Sequence, residues 1–226
     1  MFSKVVAISA LVAAVTAAPL EERASCPKIH VFGARETTAP VGYGSSAAFV
    51  NAIVSAYPGT TSQAITYPAI GGNSYGSSVQ QGTANVGAQV NAYYQQCPST
   101  KLVLVGYSQG SEIEDNALCG GGDLNQGVKS TAATISAAAR ANIKAVIWAG
   151  NPRNSPSESS FHVGSCTAGG FSARPSNACA AYSSIIRSYC DASDPYCCNG
   201  NNAATHNGYG NEYGSNALAF VKSKLG

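Results

Sequence analysis

Nucleophilic catalysis needs a hydroxyl or thiol, a base beside it and an acid that orients the base. Three stretches of this 226-residue chain offer those parts. The first is Gly106-Tyr107-Ser108-Gln109-Gly110, a G-x-S-x-G sequence. It follows Leu102-Val103-Leu104-Val105, an apolar run of the kind buried in parallel sheets. Helix-forming residues follow Gly110. Strand, tight turn and helix in that order hold a serine hydroxyl out at the carboxyl end of a sheet, with free helix N–H groups aimed at it. Ser108 is therefore the candidate nucleophile. In a chain with 24 Gly the motif alone carries little, and the strand ahead of it supplies the weight.

The base and acid follow from chain order, which on such folds runs Ser, then Asp or Glu, then His. His30 falls in a first strand and reads as locally satisfied. His162 falls in a long polar stretch and reads as a solvated loop residue. His206, in Thr205-His206-Asn207-Gly208-Tyr209-Gly210, follows every plausible acid and is the candidate base. The acid lies in Cys190-Asp191-Ala192-Ser193-Asp194-Pro195-Tyr196-Cys197-Cys198. Asp194 has the better context: it precedes a proline, which biases it to extended backbone, and sits in a loop that Cys190 and Cys197 can close. Asp191 is the alternative. An oxyanion hole needs two donors. The Gln109 N–H is one. The other should come from the loop after an early strand, where Thr37 is the candidate and an ordinary loop threonine the competing account.

The elements that must position these residues are legible as alternating strands and helices. Strands are expected at 29–32, 64–67, 102–105, 145–149 and 185–189. Phe49, Ala52, Ile53, Ala56 and Tyr57 mark one amphipathic helix, with Ser45 or Ser46 as its cap and Pro58-Gly59 as its stop. Val79, Gly82, Val86, Val90 and Tyr93 mark a second, after a Gly/Ser/Asn loop over 71–77. Residues 119–127 form a glycine-rich loop, 131–140 an alanine-rich helix, 151–180 a long polar loop and 217–225 a closing helix. This order predicts an α/β fold, a three-layer sandwich around a central parallel sheet.

Composition narrows the function classes. Charged residues are 11% of the chain and formal net charge is +2, so no nucleic-acid footprint is present. Residues 1–18, with Lys4 ahead of an apolar run, read as a secretory signal peptide, too short for a membrane span. Residues 19–24 read as a short pro-segment and 25–226 as one catalytic domain. Eight cysteines in a secreted chain imply disulfides, and their spacing does not suit a structural metal site.

The stretches Cys26-Pro27-Lys28-Ile29-His30-Val31-Phe32-Gly33-Ala34-Arg35-Glu36-Thr37-Thr38, 97–110, 119–123 and 190–210 resemble the cutinase-like superfamily of small secreted fungal serine esterases. Within it they most resemble the acetylxylan esterases of carbohydrate esterase family 5. The resemblance spans almost the whole mature chain. It implies a lidless α/β sandwich, Ser108, Asp194 and His206 as triad, and Thr37 and Gln109 as oxyanion donors. It also implies a secreted monomer with no cofactor that removes acetyl groups from acetylated xylan. A cutinase or short-chain lipase with the same triad is the alternative, and a non-catalytic secreted binding protein the distant one. The loop 70–77 is shorter than in some relatives.

Two further expectations concern bridges and substrate contacts. Adjacent Cys197 and Cys198 should point to different partners. The expected set is Cys26–Cys97, Cys190–Cys197, Cys119–Cys179 and Cys166–Cys198. Tyr196, Tyr107 and Asn199 are candidate substrate contacts, with the polar segment 199–205 forming a rim suited to sugar hydroxyls.

Overall fold

The computed structural model describes residues 26–175 and 177–226. The signal-peptide and pro-segment readings for 1–18 and 19–24 lie outside the described residues. In chain order the regular elements are β1 (Ile29–Ala34), α1 (Ala47–Ala56), β2 (Thr61–Ala64), α2 (Tyr75–Gln96), β3 (Lys101–Tyr107), α3 (Gln109–Cys119) and α4 (Ala137–Asn142). They continue with β4 (Ile143–Ala149), β5 (His162–Val163), β6 (Ile186–Tyr189) and α5 (Ala203–Leu225).

The strands form one sheet in the order β2-β1-β3-β4-β6-β5, and every pairing is parallel. Strand side chains alternate between two faces, so each central strand serves two cores. Val31, Val103, Val105, Ile147 and Ala149 pack with α1 and α5 on one face. Phe32, Leu102, Leu104, Val146 and Trp148 pack with α2 and α3 on the other. Two buried faces explain why β3 and β4 read as unbroken apolar runs. The helices approach closely because glycine allows it: a Cβ on Gly82 of α2 would sit 2.7 Å from Ile113 of α3.

Several elements differ from the sequence reading. The strand expected at 64–67 is β2, which ends at Ala64. Beyond it the carbonyls of Ile65 and Tyr67 are taken by the buried Arg35 guanidinium, at 3.4 and 2.6 Å. The helix expected over 131–140 is confined to α4, because the N–H groups of Thr134 and Ile135 donate to Ala117 O instead. Local alanine propensity loses there to tertiary hydrogen bonding. Neither Ser45 nor Ser46 caps α1 with its side chain: Ser45 donates to Glu36 and Ser46 to Tyr43 O. The 151–180 stretch contains the edge strand β5, which places half-buried His162 beside Ser188 with Nδ1 3.1 Å from Asn154 Oδ1. His162 is thus a strand residue, not a solvated loop residue. The closing helix is far longer than 217–225. It starts at Ala203, where the Asn202 side chain accepts the Ala204 N–H at 3.0 Å.

Four disulfides tie the loops: Cys26–Cys97, Cys119–Cys179, Cys166–Cys198 and Cys190–Cys197. The last closes a loop of seven-residue separation around Asp194.

Candidate active site

Ser108 occupies the turn between β3 and α3 with φ 53° and ψ −123°. A non-glycine residue at positive φ is strained and persists only where its surroundings dictate it. Here the dictating parts are specific. The Ser108 N–H donates to Ala149 O of β4 at 2.8 Å, and Ser108 O accepts the Glu112 N–H at 3.1 Å. The flanking glycines have no room for a side chain: a Cβ on Gly106 would lie 2.5 Å from Ser111 Cα, and one on Gly110 2.2 Å from Ala34 O. The turn therefore sits at the carboxyl end of the sheet, where parallel α/β folds open their crevices.

His206 lies in the first turn of α5 with Nδ1 2.7 Å from Asp194 Oδ2. The Asp194 carboxyl is fully engaged. Oδ1 accepts the N–H groups of Tyr196 and Cys197 at 2.7 and 3.1 Å. Oδ2 also accepts the Tyr209 hydroxyl at 2.8 Å. Burial alone would push this carboxyl up, but His206, the Tyr196 N–H and the Tyr209 hydroxyl together hold it below the ordinary aspartate value. Asp191 takes a different role. Its Oδ1 accepts the Ser165 N–H and hydroxyl at 2.8 and 2.9 Å, and its carboxyl also accepts the Tyr213 hydroxyl. His30 lies at the amino end of β1, stacked on Tyr93 at 3.8 Å, and burial lowers its pKa to about 4. The structure thus brings Asp194 to His206, and leaves Asp191 and His30 elsewhere.

Ser108 and His206 line one cleft of about 400 Å³, together with Thr37, Thr38, Gly71, Tyr75, Phe171, Tyr196 and Ala203. Gln109 begins α3, so its N–H has no acceptor within the helix. Its side chain fixes the opposite rim by donating to Ile70 O at 3.1 Å and accepting from Ser78 at 2.9 Å. The Thr37 loop is held from below. Arg35 donates to Ala39 O at 3.0 Å, the Tyr67 hydroxyl donates to Arg35 O at 2.6 Å, and the Thr38 N–H donates to Ala69 O at 2.7 Å. Thr38 and Ala69 both have positive φ, so this clamp holds a second strained segment beside the cleft.

The three substrate-contact candidates fare differently. Tyr196 lines the cleft, 42% exposed, with its ring edge-on to His206 at 4.5 Å. Tyr107 does not face the cleft. It is buried, and its hydroxyl donates to His206 O at 2.6 Å, anchoring the start of α5. Asn199 is exposed and outside the cleft lining. The N–H groups of Gly200 and Asn202 donate to Asp194 O and Ser193 O, so 199–202 folds back on the Asp194 loop. Of the 199–205 segment only Ala203 lines the cleft.

The sequence reading missed Arg35, Tyr209, Tyr75 and Phe171, and it missed the charged layer beneath the cleft. Ten residues of α3, Gln109 to Leu118, are buried, Glu112, Glu114 and Asp115 among them. The Tyr75 hydroxyl donates to Glu112 Oε2. Trp148 Nε1 donates to Glu114 Oε2 at 3.2 Å. Arg174 pairs with Asp115, and Arg153 with Asp123 at 3.2 Å. Burial, and for Glu112 the neighbouring Asp123, drive the Glu112 and Glu114 carboxyls well above the usual range. Burial raises Glu158 to about 7, outweighing a backbone hydrogen bond at Cys179 and the pull of Arg153.

These directions set a pH dependence of stability. In the unfolded chain the three glutamates ionise near ~4.3, earlier than in the folded one. As pH rises from there towards 7 the unfolded state loses protons first, and stability falls. Asp194 acts in the opposite sense, losing its contribution only as pH drops through its lowered folded value. Burial lowers the pKa values of His30 and His162, and these also oppose the trend as pH falls below about 6.5, two groups against three. The melting temperature should therefore be higher at pH 5 than at pH 8. Glu158→Gln should shrink that difference in thermal scans across the range. An unchanged slope would show that Glu158 ionises as it does in water.

The whole chain can be set beside known proteins. Acetylxylan esterase 2 of Talaromyces purpureogenus is 59% identical over 100% of both chains. Cutinase 11 of Verticillium dahliae is 54% identical over 94% of this chain and 74% of its own. The solved catalytic core domain of acetyl xylan esterase from Trichoderma reesei superposes with a TM-score of 0.86 at 53% identity, covering 88% of this chain and 100% of that one. A family model described as Cutinase matches residues 25–225, and the chain belongs to that family.

Proposed function

We propose that the protein is a serine carboxylic-ester hydrolase that removes acetyl groups from acetylated xylan. The observation that carries the mechanism is the Asp194–His206 contact of 2.7 Å in the cleft that Ser108 also lines. The relatives named acetylxylan esterase carry the substrate.

Ser108 attacks the acetyl carbonyl carbon while His206 Nε2 takes its proton. Asp194 fixes the imidazole with Nδ1–H towards Oδ2 and stabilises the imidazolium that forms. The N–H groups of Gln109 and Thr37 receive the oxyanion. The sugar alcohol leaves with the proton from His206, and water, activated by the same histidine, hydrolyses the acetyl-enzyme. Proximity and the strained serine turn mean that little reorganisation is needed at the moment of reaction. The four disulfides suit an oxidising, extracellular setting, and secretion is part of this reading.

A cutinase reading has one observation in its favour, the 54% identical relative of that name. The two differ in acyl size. Each buried CH₂ is worth about 0.8 kcal/mol, so a long-chain esterase gains with chain length only if an apolar groove receives it. Among the described residues the cleft is walled by Thr37, Thr38, Gly71, Gly72 and Asn207 beside the rings of Tyr75, Phe171 and Tyr196, with no Leu, Ile or Val to make an aliphatic groove. On p-nitrophenyl esters from acetate to palmitate, kcat/KM should fall beyond about four carbons. Acetate should be released from acetylated xylan. A rate that climbs with chain length, with no acetate from xylan, would overturn the proposal in favour of the cutinase reading.

A further inference from the structure

Phe171 sits in the cleft lining yet is 48% exposed, an unusual place for a large apolar ring. The segment that carries it is held by several hydrogen bonds. The Phe171 N–H donates to Tyr196 O at 3.1 Å, and the Gly170 N–H to Asn154 O at 2.9 Å. Fully buried Ser172 next to it donates its N–H to Pro152 O at 3.1 Å, accepts Gln126 Nε2 on its hydroxyl at 2.6 Å, and offers its carbonyl to Arg153 Nη1 at 3.0 Å. Gly170 packs so closely that a Cβ would lie 2.3 Å from Pro152 O. The ring itself meets Tyr75 edge to face at 5.5 Å, and Tyr75 is fixed in turn by Glu112. An aromatic ring held rigid with nearly half its surface in solvent is pre-organised for a ligand, because no ordering cost remains at binding.

We propose that Phe171 is a specificity-determining platform on which a xylosyl ring of the polymer main chain stacks, next to the acetyl group being removed. The proposal rests on the reading of the protein as an esterase of acetylated xylan. A xylopyranose ring carries no hydroxymethyl group, so its faces present C–H bonds that lie flat on an aromatic ring, while its rim hydroxyls stay hydrated. Tyr196, tied to Phe171 through its backbone carbonyl, places this platform beside His206. A leaving sugar would then meet the histidine that must protonate it.

The test compares wild type, Phe171→Ala and Phe171→Trp on p-nitrophenyl acetate, p-nitrophenyl butyrate and acetylated xylan. For Phe171→Ala the ratio of kcat/KM on xylan to that on p-nitrophenyl acetate should fall roughly fivefold or more, the loss of one buried anchor. The loss should lie in KM, and Phe171→Trp should recover most of it. Equal losses on xylan and acetate would show a general structural role and overturn the proposal. So would an unchanged xylan KM, or a loss confined to butyrate, which would place the ring on the acyl side. Wild type that hydrolyses p-nitrophenyl acetate but frees no acetate from xylan would refute the substrate reading itself, a failure visible before any variant is measured.

Discussion

Ser108→Ala is expected to lower kcat by about 10⁴- to 10⁶-fold, and His206→Ala by a similar factor. Both should leave the fold intact. The Ser108 side chain forms no contact that holds the turn, which is secured through backbone bonds to Ala149 and Glu112. The double variant should be little worse than either single one, since the residues act as one unit. Asp194→Asn should cost about 10⁴ in kcat, because a carboxamide no longer holds His206 Nδ1–H in one tautomer. Asp191→Asn disturbs only contacts to Ser165 and Tyr213 and should leave kcat within a few-fold of wild type. Steady-state kinetics on p-nitrophenyl acetate, with circular dichroism for folding, check all five variants. A severe loss in Asp191→Asn beside an active Asp194→Asn would transfer the acid role.

The second large effect is on stability. Arg174 is fully buried, pairs with Asp115 and donates to Gly120 O at 2.6 Å. Removing one partner of a buried pair leaves an uncompensated charge, which typically costs about 3–5 kcal/mol. Arg174→Met should lower the melting temperature by roughly 10 °C for a chain of this size. Adding Asp115→Asn should restore part of the loss, since the orphaned charge is then gone. Without that recovery, the Gly120 contact and packing would be what Arg174 supplies. Because Asp115 belongs to α3, the helix that follows Ser108, the same variant should lose activity on warming well below the wild-type temperature.

What was legible in the sequence follows from which interactions are local. The strand–turn–helix at Ser108 declares itself because β3 is buried on both faces and its glycines are sterically required. Cysteine spacing and chain order isolated His206 and the short Asp191–Asp194 loop. Asp194 was favoured over Asp191 from local context, the Pro195 after it and the closed loop, and the Tyr196 N–H two residues on is a local contact. Only the Tyr209 hydroxyl and His206 itself are tertiary partners. Thr37 is invisible without the family resemblance, because the clamp that positions it, Arg35 with Tyr67 and Ala69, draws on residues about thirty positions apart. The start of α5 was hidden by Gly208, Gly210 and Gly214, poor helix formers that packing overrides. Tyr107 was misplaced because its motif position suggested the cleft, while its hydroxyl serves α5. Phe171 and the buried charges of α3 carry no periodic signal at all. They become readable only through distant partners, Arg174 for Asp115 and Tyr75 for both Glu112 and Phe171.

The central claim is that Ser108 is the nucleophile of an acyl-enzyme. A fluorophosphonate probe followed by peptide mass mapping tests it most directly. The account predicts one adduct per chain, on Ser108, formed in step with loss of esterase activity, absent in Ser108→Ala and strongly slowed in His206→Ala. A folded, active protein that stays unlabelled, or one whose adduct lies on another residue while activity is lost, would contradict it.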